Sequence, residues 1–398
     1  MKFKTVDDIN FKEKRALVRV DFNVPLSSSG TITDDYRIQS ALPTIKKIVD
    51  DGGMAILMSH LGRPNGQVQS DLSLVSVYEY LREILDCTVE FADDCVGTIA
   101  ENFSQNLDMG SVLLLENLRF YKEEKGNDPE FSKKLAKLAD VYVNDAFGTA
   151  HRAHASTVGV TEYFDEKVAG YLVEKEIKFL SEALESPEKP YVAIMGGAKI
   201  SGKIDLIDKL LNNVDTLLIG GGMAYTFLKA KGVEIGGSLL EEEKLDLAKD
   251  ILKRVEDEDL DFLLPSDCIA ATHPEEGIAT SILDIDHIGD HEMGLDIGPS
   301  TRKAFTDKIL NGKTILWNGP MGVFEVPEFA EGTYTIAEAL VKATEQGATT
   351  IVGGGDSAAA LKEFGMMDKV THVSTGGGAS LELLSGKTLP GIAALEIE

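Results

Sequence analysis

YVAIMGGAKISGKIDLIDKLLNN, residues 191–213, holds the three parts of one structural element in order. Residues 191–195 form a short apolar run that reads as a strand, and GGAK (196–199) is a glycine turn. Ile204, Ile207, Leu210 and Leu211 then fall on one face of a helix over 202–213. A buried strand followed by an amphipathic helix is the repeating unit of a parallel sheet covered by helices. The pattern continues in both directions. Further strands are expected at 16–20, 54–58, 111–115, 141–143, 214–219, 261–264, 313–317 and 348–352, and helices at 74–86, 129–140, 239–256 and 330–345. The fold class is therefore α/β, with parallel sheets flanked by helices. Pro43 interrupts the apolar pattern 38–49, so that helix is expected to start late or bend. Residues 171–185 read as a solid helix, and SPEKP follows with Pro187 and Pro190. This helix is expected to join two lobes of similar size.

At about 150 residues per domain, 398 residues allow two or three domains. Hydrophobic residues make up 43% and charged residues 26%, which excludes a disordered or fibrous chain. No apolar run is long enough to cross a bilayer, and MKFKTVDDINFKEKR (1–15) lacks an apolar signal core. Cys87, Cys95 and Cys268 show no CxxC spacing, so reduced thiols in a cytoplasmic protein are expected. The formal charge of −27 argues against nucleic acid or an anionic membrane as partner, but not against a small anion in a local basic pocket. Residues 1–170 carry 19 Lys+Arg against 27 Asp+Glu, and the rest carry 20 against 39. Seven of the nine arginines lie in that first part. Arginine grips carboxylate and phosphate in a bidentate manner, so an acidic substrate is expected there.

In an open parallel sheet, ligands bind beyond the carboxyl ends of the strands. In the first half those ends lead into RVDFNVP (19–25), SHLGRP (59–64), ENLRF (116–120) and NDAFGTAHRAHAST (144–157). In the second half they lead into GGAK (196–199), GGGM (220–223), NGPMG (318–322), GGGDS (353–357) and TGGGAS (375–380). The first set offers guanidinium groups suited to a compact polyanion. The second offers glycine backbones, helix starts and lysines suited to a nucleotide polyphosphate. This division suggests a bisubstrate phosphotransferase reacting across a cleft. A single GGG is as often a plain turn, but four such loops after apolar strands favour phosphate. Arg15 and Arg82 read as surface residues, His151 and His154 as satisfied loop histidines, and Met195, Met223 and Met321 as packing residues. GAKISGKI (197–204) matches a P-loop through its lysine, but Ile204 replaces the magnesium-binding hydroxyl. GGGDSA (353–358) is a Rossmann-like GxGxxA with little chain after it.

RVDFNVP, TDDYRI (33–38), SHLGRP, LENLRF (115–120), NDAFGTAHRAHAS (144–156), GGAKIS (196–201), WNGPMGVFE (317–325) and GGGDS together resemble the phosphoglycerate kinase family, in that family's order and across nearly the whole chain. The resemblance implies two Rossmann-like lobes joined by an interdomain helix. A phosphoglycerate-binding domain would occupy 1–170, the hinge helix 171–185, a nucleotide-binding domain 186–384, and a tail packing back on the first domain 385–398. It implies reversible transfer of a phosphoryl group from 1,3-bisphosphoglycerate to ADP, giving 3-phosphoglycerate and ATP in glycolysis or gluconeogenesis. The cofactor would be Mg²⁺, carried as MgADP or MgATP, and the protein a monomer. By the same resemblance Asp21, Phe22, Asn23, Arg37, His60, Leu61, Gly62, Arg63, Arg119 and Arg152 hold the phosphoglycerate. Lys199 and Lys203 contact the nucleotide phosphates and the moving group, and Arg37 with both lysines is catalytic. Glu325 takes the ribose, Gly294 lines the nucleoside pocket, Gly354, Gly355 and Ser357 bind phosphate, and Asp356 carries the metal.

Three positions depart from the family's habit: Gly202 where aspartate is common, Tyr36 before Arg37, and the neutral loop 27–30. None removes an expected ligand. Two other readings compete: a two-lobed binding protein without chemistry, and an NAD-dependent oxidoreductase resting on GxGxxA alone.

Overall fold

A computed structural model describes residues 2–258 and 260–397. The chain divides into two compact units, Met1–Lys178 with Thr388–Glu398, and Phe179–Lys387. The passage from one to the other falls inside the helix Tyr171–Glu185.

The first unit is built on β1 (Arg15–Val20), β2 (Met54–Met58), β3 (Val89–Ala92), β4 (Val112–Leu115), β5 (Val141–Asp145) and β6 (Lys167–Ala169), in the order β3-β4-β2-β1-β5-β6. Every pairing is parallel. Strand β2 is buried throughout, which is why MAILM shows no alternation. Val18, Val20, Leu57 and Leu114 of the sheet pack with Ile38, Ile45, Val77 and Leu81 from the helices Tyr36–Asp50 and Val75–Ile84. The helix Tyr36–Asp50 does not start late: Pro43 lies inside it. The lost hydrogen bond would have gone to the carbonyl of Gln39. Both Pro43 and Gln39 face solvent, where water can serve that carbonyl. Ile38, Ala41, Leu42, Ile45 and Ile48 are buried on the opposite face, and their burial outweighs the roughly 3 kcal/mol that an internal proline costs.

The second unit carries β7 (Tyr191–Met195), β8 (Thr216–Ile219), β9 (Asp261–Leu263), β10 (Asp267–Ala271), β11 (Ser281–Asp284), β12 (Met293–Ile297), β13 (Thr314–Asn318), β14 (Thr349–Gly353) and β15 (His372–Val373). Six of them form a parallel sheet, β15-β14-β13-β7-β8-β9, and β11-β10-β12 form a small antiparallel one. The antiparallel sheet was not expected. Its strand β11 is largely exposed and its sequence gives no apolar run. Strands β3, β6 and β15 were also missed, being short and at or near sheet edges.

In the first sheet the chain runs outward from β1 to β2 on one side and from β5 to β6 on the other, so direction reverses at the β1/β5 pair. In the second it reverses at β7/β13. These reversal points are where adjacent loops part and leave a crevice.

Candidate active site

At the first crevice the loop after β1 places Asp21, Phe22 and Asn23. The Arg37 guanidinium lies 3.1 Å from the Asp21 carboxylate, and its Nη1 also donates to the carbonyl of Asn23 at 3.1 Å. The Phe22 amide donates to Ser59 Oγ at 2.8 Å, so the backbone there is fixed against the end of β2. Asn23 Oδ1 accepts from the Gly62 amide at 2.8 Å, and Arg119 Nη1 donates to the Gly62 carbonyl at 2.8 Å. Gly62 thus ties the loops after β1, β2 and β4 together. Its φ of 62° suits glycine, and a Cβ there would strike Leu72. Asn117 holds the Leu61 amide and carbonyl and the Arg119 amide.

Arg63, Arg119 and Arg152 line one hollow of about 160 Å³ with Asn65 and Lys125. Four cations share that small volume in a chain of charge −27, and among the described residues no acidic side chain lines it. Burial first, and then the Arg19 guanidinium, push the pKa of Arg119 down to about 10. His60 is buried, and burial followed by the charges of Arg19, Arg119 and Arg37 holds its imidazole well below the usual range. His60 is therefore a neutral hydrogen-bonding group.

Arg19 was not among the expected site residues. It is 1% exposed, donates from Nε to Ser156 Oγ at 2.8 Å, and reaches His60. Ser156 in turn donates to buried Glu124 at 2.6 Å. RVDFNVP gave only its position, because a strand residue's depth depends on what covers the sheet. His151 accepts from Arg152 Nε at 3.0 Å. The expectation for His154 needs correction. It is buried, but its Nδ1 makes no hydrogen bond and stands 3.9 Å from Glu124 Oε1. Burial first, then Arg19, Arg119 and Arg152, push it down to about 4.

At the second crevice a hollow of about 430 Å³ is lined by Gly197, Gly222, Gly294, Met321, Glu325 and Asp356, among others. Gly294 is required by close approach: a Cβ there would lie 1.7 Å from Tyr225 Oη. Met321 is buried as expected but also lines the hollow. Asp356 is exposed in the first turn of the helix Gly355–Glu363, next to Gly354 at φ 92°. Lys199 is exposed. Lys203 is half-buried, and its ammonium lies among the carbonyls of Gly196 and Asn318 rather than in the open hollow. Desolvation pushes it down to about 8, with Asp356 pulling the other way. Ser357 is fully buried, and its hydroxyl oxygen accepts from the Gly319 amide at 2.6 Å. It holds the turn rather than facing the hollow.

Asn318 was missed. Its Nδ2 is buried without a hydrogen-bond partner, close beside Gly354 at the start of the helix Gly355–Glu363. An unused donor beside a helix N-terminus is suited to an anion. NGPMG contained the residue, but the glycines drew the reading. Among the described residues no three His, Cys, Asp or Glu side chains are grouped to hold a metal ion, and no helix is long and apolar enough to cross a membrane.

A sequence model described as phosphoglycerate kinase matches residues 6–387. The chain belongs to the phosphoglycerate kinase family. It is accordingly a kinase that transfers phosphate to a carboxyl group. A phosphoglycerate kinase of Chloroherpeton thalassium is 57% identical over 395 residues, covering 99% of each chain. One from Chlorobium luteolum is 56% identical, covering 99% of this chain and all of that one. The solved phosphoglycerate kinase of Coxiella burnetii superposes with a TM-score of 0.87 at 41% identity, covering 99% of both chains. That of Pyrococcus horikoshii gives 0.85 at 32% identity over 98% of both.

Proposed function

We propose that the first unit binds 3-phosphoglycerate and 1,3-bisphosphoglycerate, and that the second binds ADP and ATP. The observation carrying this reading is the hollow lined by Arg63, Arg119, Lys125 and Arg152 without an acidic side chain. A phosphate carries enough charge to offset several guanidinium groups that otherwise repel one another. Asp21, Asn23, Arg37 and His60 then lie beside that anchor to orient the glycerate carboxylate and hydroxyl, with Phe22, Leu61 and Gly62 supplying the frame. Gly294 and Glu325 take the nucleoside end of the second hollow, and Lys199, Lys203, Gly354 and Gly355 the phosphates, with Ser357 supporting the turn.

In the direction of ATP use, a carboxylate oxygen of 3-phosphoglycerate attacks the γ-phosphorus. The bond to the β–γ bridging oxygen breaks, and ADP leaves with that electron pair. The attacking carboxylate is already ionised, so no general base is required. The residues act by alignment and by offsetting charge on the transferred group. Arg37 and the two lysines are assigned that role. Transfer also requires the two ligands to meet in line, and the helix Tyr171–Glu185 is the proposed hinge.

Mg²⁺ is the proposed metal. Asp356, an exposed carboxylate at a helix start lining the hollow, fits a hard cation that arrives on nucleotide phosphates and keeps its waters. When bound, the ion supplies charge neutralisation on the phosphate oxygens. The three free cysteines suit a cytoplasmic location, and we propose a monomer.

The test is a coupled assay with 3-phosphoglycerate and MgATP. ADP formation that stops when either substrate is omitted supports the reading. Tight binding of 3-phosphoglycerate without ADP release would turn the protein into a binder.

A further inference from the structure

The segment Gly236–Glu241 belongs to no motif quoted above, yet it touches both ends of the second hollow. Ser238 Oγ accepts from the Gly294 amide at 3.0 Å, at the nucleoside end. Leu239 lines the hollow itself. At the phosphate end Glu241 Oε2 accepts from the Ile200 amide at 2.6 Å and from the Ser201 amide at 3.1 Å. Those two amides follow Lys199 directly. Glu241 is 8% exposed, and its own amide donates to Thr226 Oγ1 at 3.2 Å, so the carboxylate is fixed from behind. Burial raises its pKa, but the bonds to Ser201 and Ile200 and the Lys199 charge together hold it below the ordinary glutamate value.

We propose that Glu241 is a positioning residue for the nucleotide reaction: its carboxylate fixes the turn that carries Lys199, and so sets where that ammonium meets the nucleotide phosphates. The inference rests on the assignment of Lys199 to those phosphates. Three features of the local chemistry carry it. Lys199 is exposed on a turn between two glycine-rich stretches, GG (196–197) and SG (201–202), which has little rigidity of its own. A carboxylate accepting two backbone N–H groups makes charge-assisted bonds, and these are about twice as strong as neutral ones. The Lys199 ammonium in turn favours the ionised form of this carboxylate, which does not line the open hollow as Asp356 does. On the acidic loop Leu239–Leu240–Glu241–Glu242–Glu243, Glu241 alone of the three glutamates is buried and makes this contact, while Glu242 and Glu243 are exposed.

The test compares Glu241→Ala, Glu241→Gln, Lys199→Ala and the double variant Glu241→Ala with Lys199→Ala in the full chain, with KM for MgATP and for 3-phosphoglycerate, kcat, and amide hydrogen exchange at Ile200 and Ser201. Glu241→Ala is expected to raise KM for MgATP about tenfold, to leave KM for 3-phosphoglycerate unchanged, and to speed exchange at both amides. Glu241→Gln keeps an acceptor oxygen and should recover most of the loss. In the double variant the Glu241→Ala effect should vanish, because the group it positions is gone. The proposal is overturned if Lys199→Ala weakens MgATP but Glu241→Ala does not, or if their effects simply add. A Lys199→Ala variant with normal MgATP affinity would instead remove the parent assignment of Lys199.

Discussion

Arg19 donates from Nη2 to Nδ1 of His60 at 3.2 Å, with both side chains buried. A guanidinium has five N–H donors and no acceptor, so Nδ1 of His60 must be the bare nitrogen. The proton of the neutral ring is therefore on Nε2, and the ring can donate from that side only. The Glu124 carboxylate, reached through Ser156, offsets the buried charge of Arg19. Without a partner that charge would be costly to bury.

The first prediction concerns this ring. Nitrogen NMR of the imidazole should show an Nε2–H tautomer that does not titrate between pH 6 and 8. The folded pKa is depressed, whereas the unfolded chain protonates near the ordinary value of about 6.5. The unfolded state thus binds more protons below that pH, and stability falls as acid is added. His154, pushed down to about 4, adds to the same slope. The denaturation midpoint should drop from pH 7 to pH 5, and His60→Gln should flatten part of the drop. A midpoint constant over this range contradicts the assignment.

Arg37 leans on Asp21 and the Asn23 carbonyl within the first unit alone. Arg37→Ala is expected to cut kcat by ~10³–10⁵, the range for an arginine that stabilises a phosphoryl-transfer transition state. ADP affinity, measured by calorimetry, should stay close to that of the unmodified chain. Equal loss of both would place the residue wrongly.

Gly294→Ala puts a methyl group where Tyr225 Oη already lies. Tyr225 is buried and would have to move into the floor of the second hollow. The variant should lose ~1–3 kcal/mol of stability, as overpacked cores do, and bind ADP more weakly. Its affinity for 3-phosphoglycerate should not change. Thermal melts and two separate titrations check this.

Lys203 gives an alkaline limb. Its folded pKa is about 8, so the free ammonium discharges above that pH and the phosphates lose a cation. ADP affinity should decline from pH 8 to 9.5, and Lys203→Met should be weak and flat over the same range. Stability moves the opposite way. The unfolded lysine holds its proton to about 10.4, so the cost of burying the charge is complete below pH 8 and is relieved as pH rises through the folded pKa.

The fold and the positions of the candidate-site loops were legible because they depend on local text. Alternating apolar runs and amphipathic stretches give βα units, and the residues after each strand must emerge at the sheet's carboxyl edge. What was not legible depends on depth and direction. Lys203 and Lys199 look alike in sequence, yet one ammonium is buried among carbonyls and the other is exposed. Arg19 looks like any of seven arginines until the loop carrying Ser156 is seen beside it. Asn318 is one letter in a glycine motif, and its idle amide shows only when its neighbours are counted. Of the antiparallel strands, β11 escaped because an exposed strand leaves no apolar signature, whereas β10 and β12 are largely buried but carry Asp, Gly and Ala instead of a continuous apolar run.

The segment from Thr388 onward belongs with the first unit, although the whole of Phe179–Lys387 precedes it in the chain. Gly391 donates to the Ala150 carbonyl at 2.8 Å and accepts from Asn144 Nδ2 at 3.0 Å, and Glu396 bridges Phe3. These contacts brace the NDAFGTAHRAHAS loop from below. During translation the leading unit therefore emerges without these contacts and can make them only after the trailing unit has been made. The loop bearing Arg152 is thereby tied to sequence lying beyond the whole of the trailing unit.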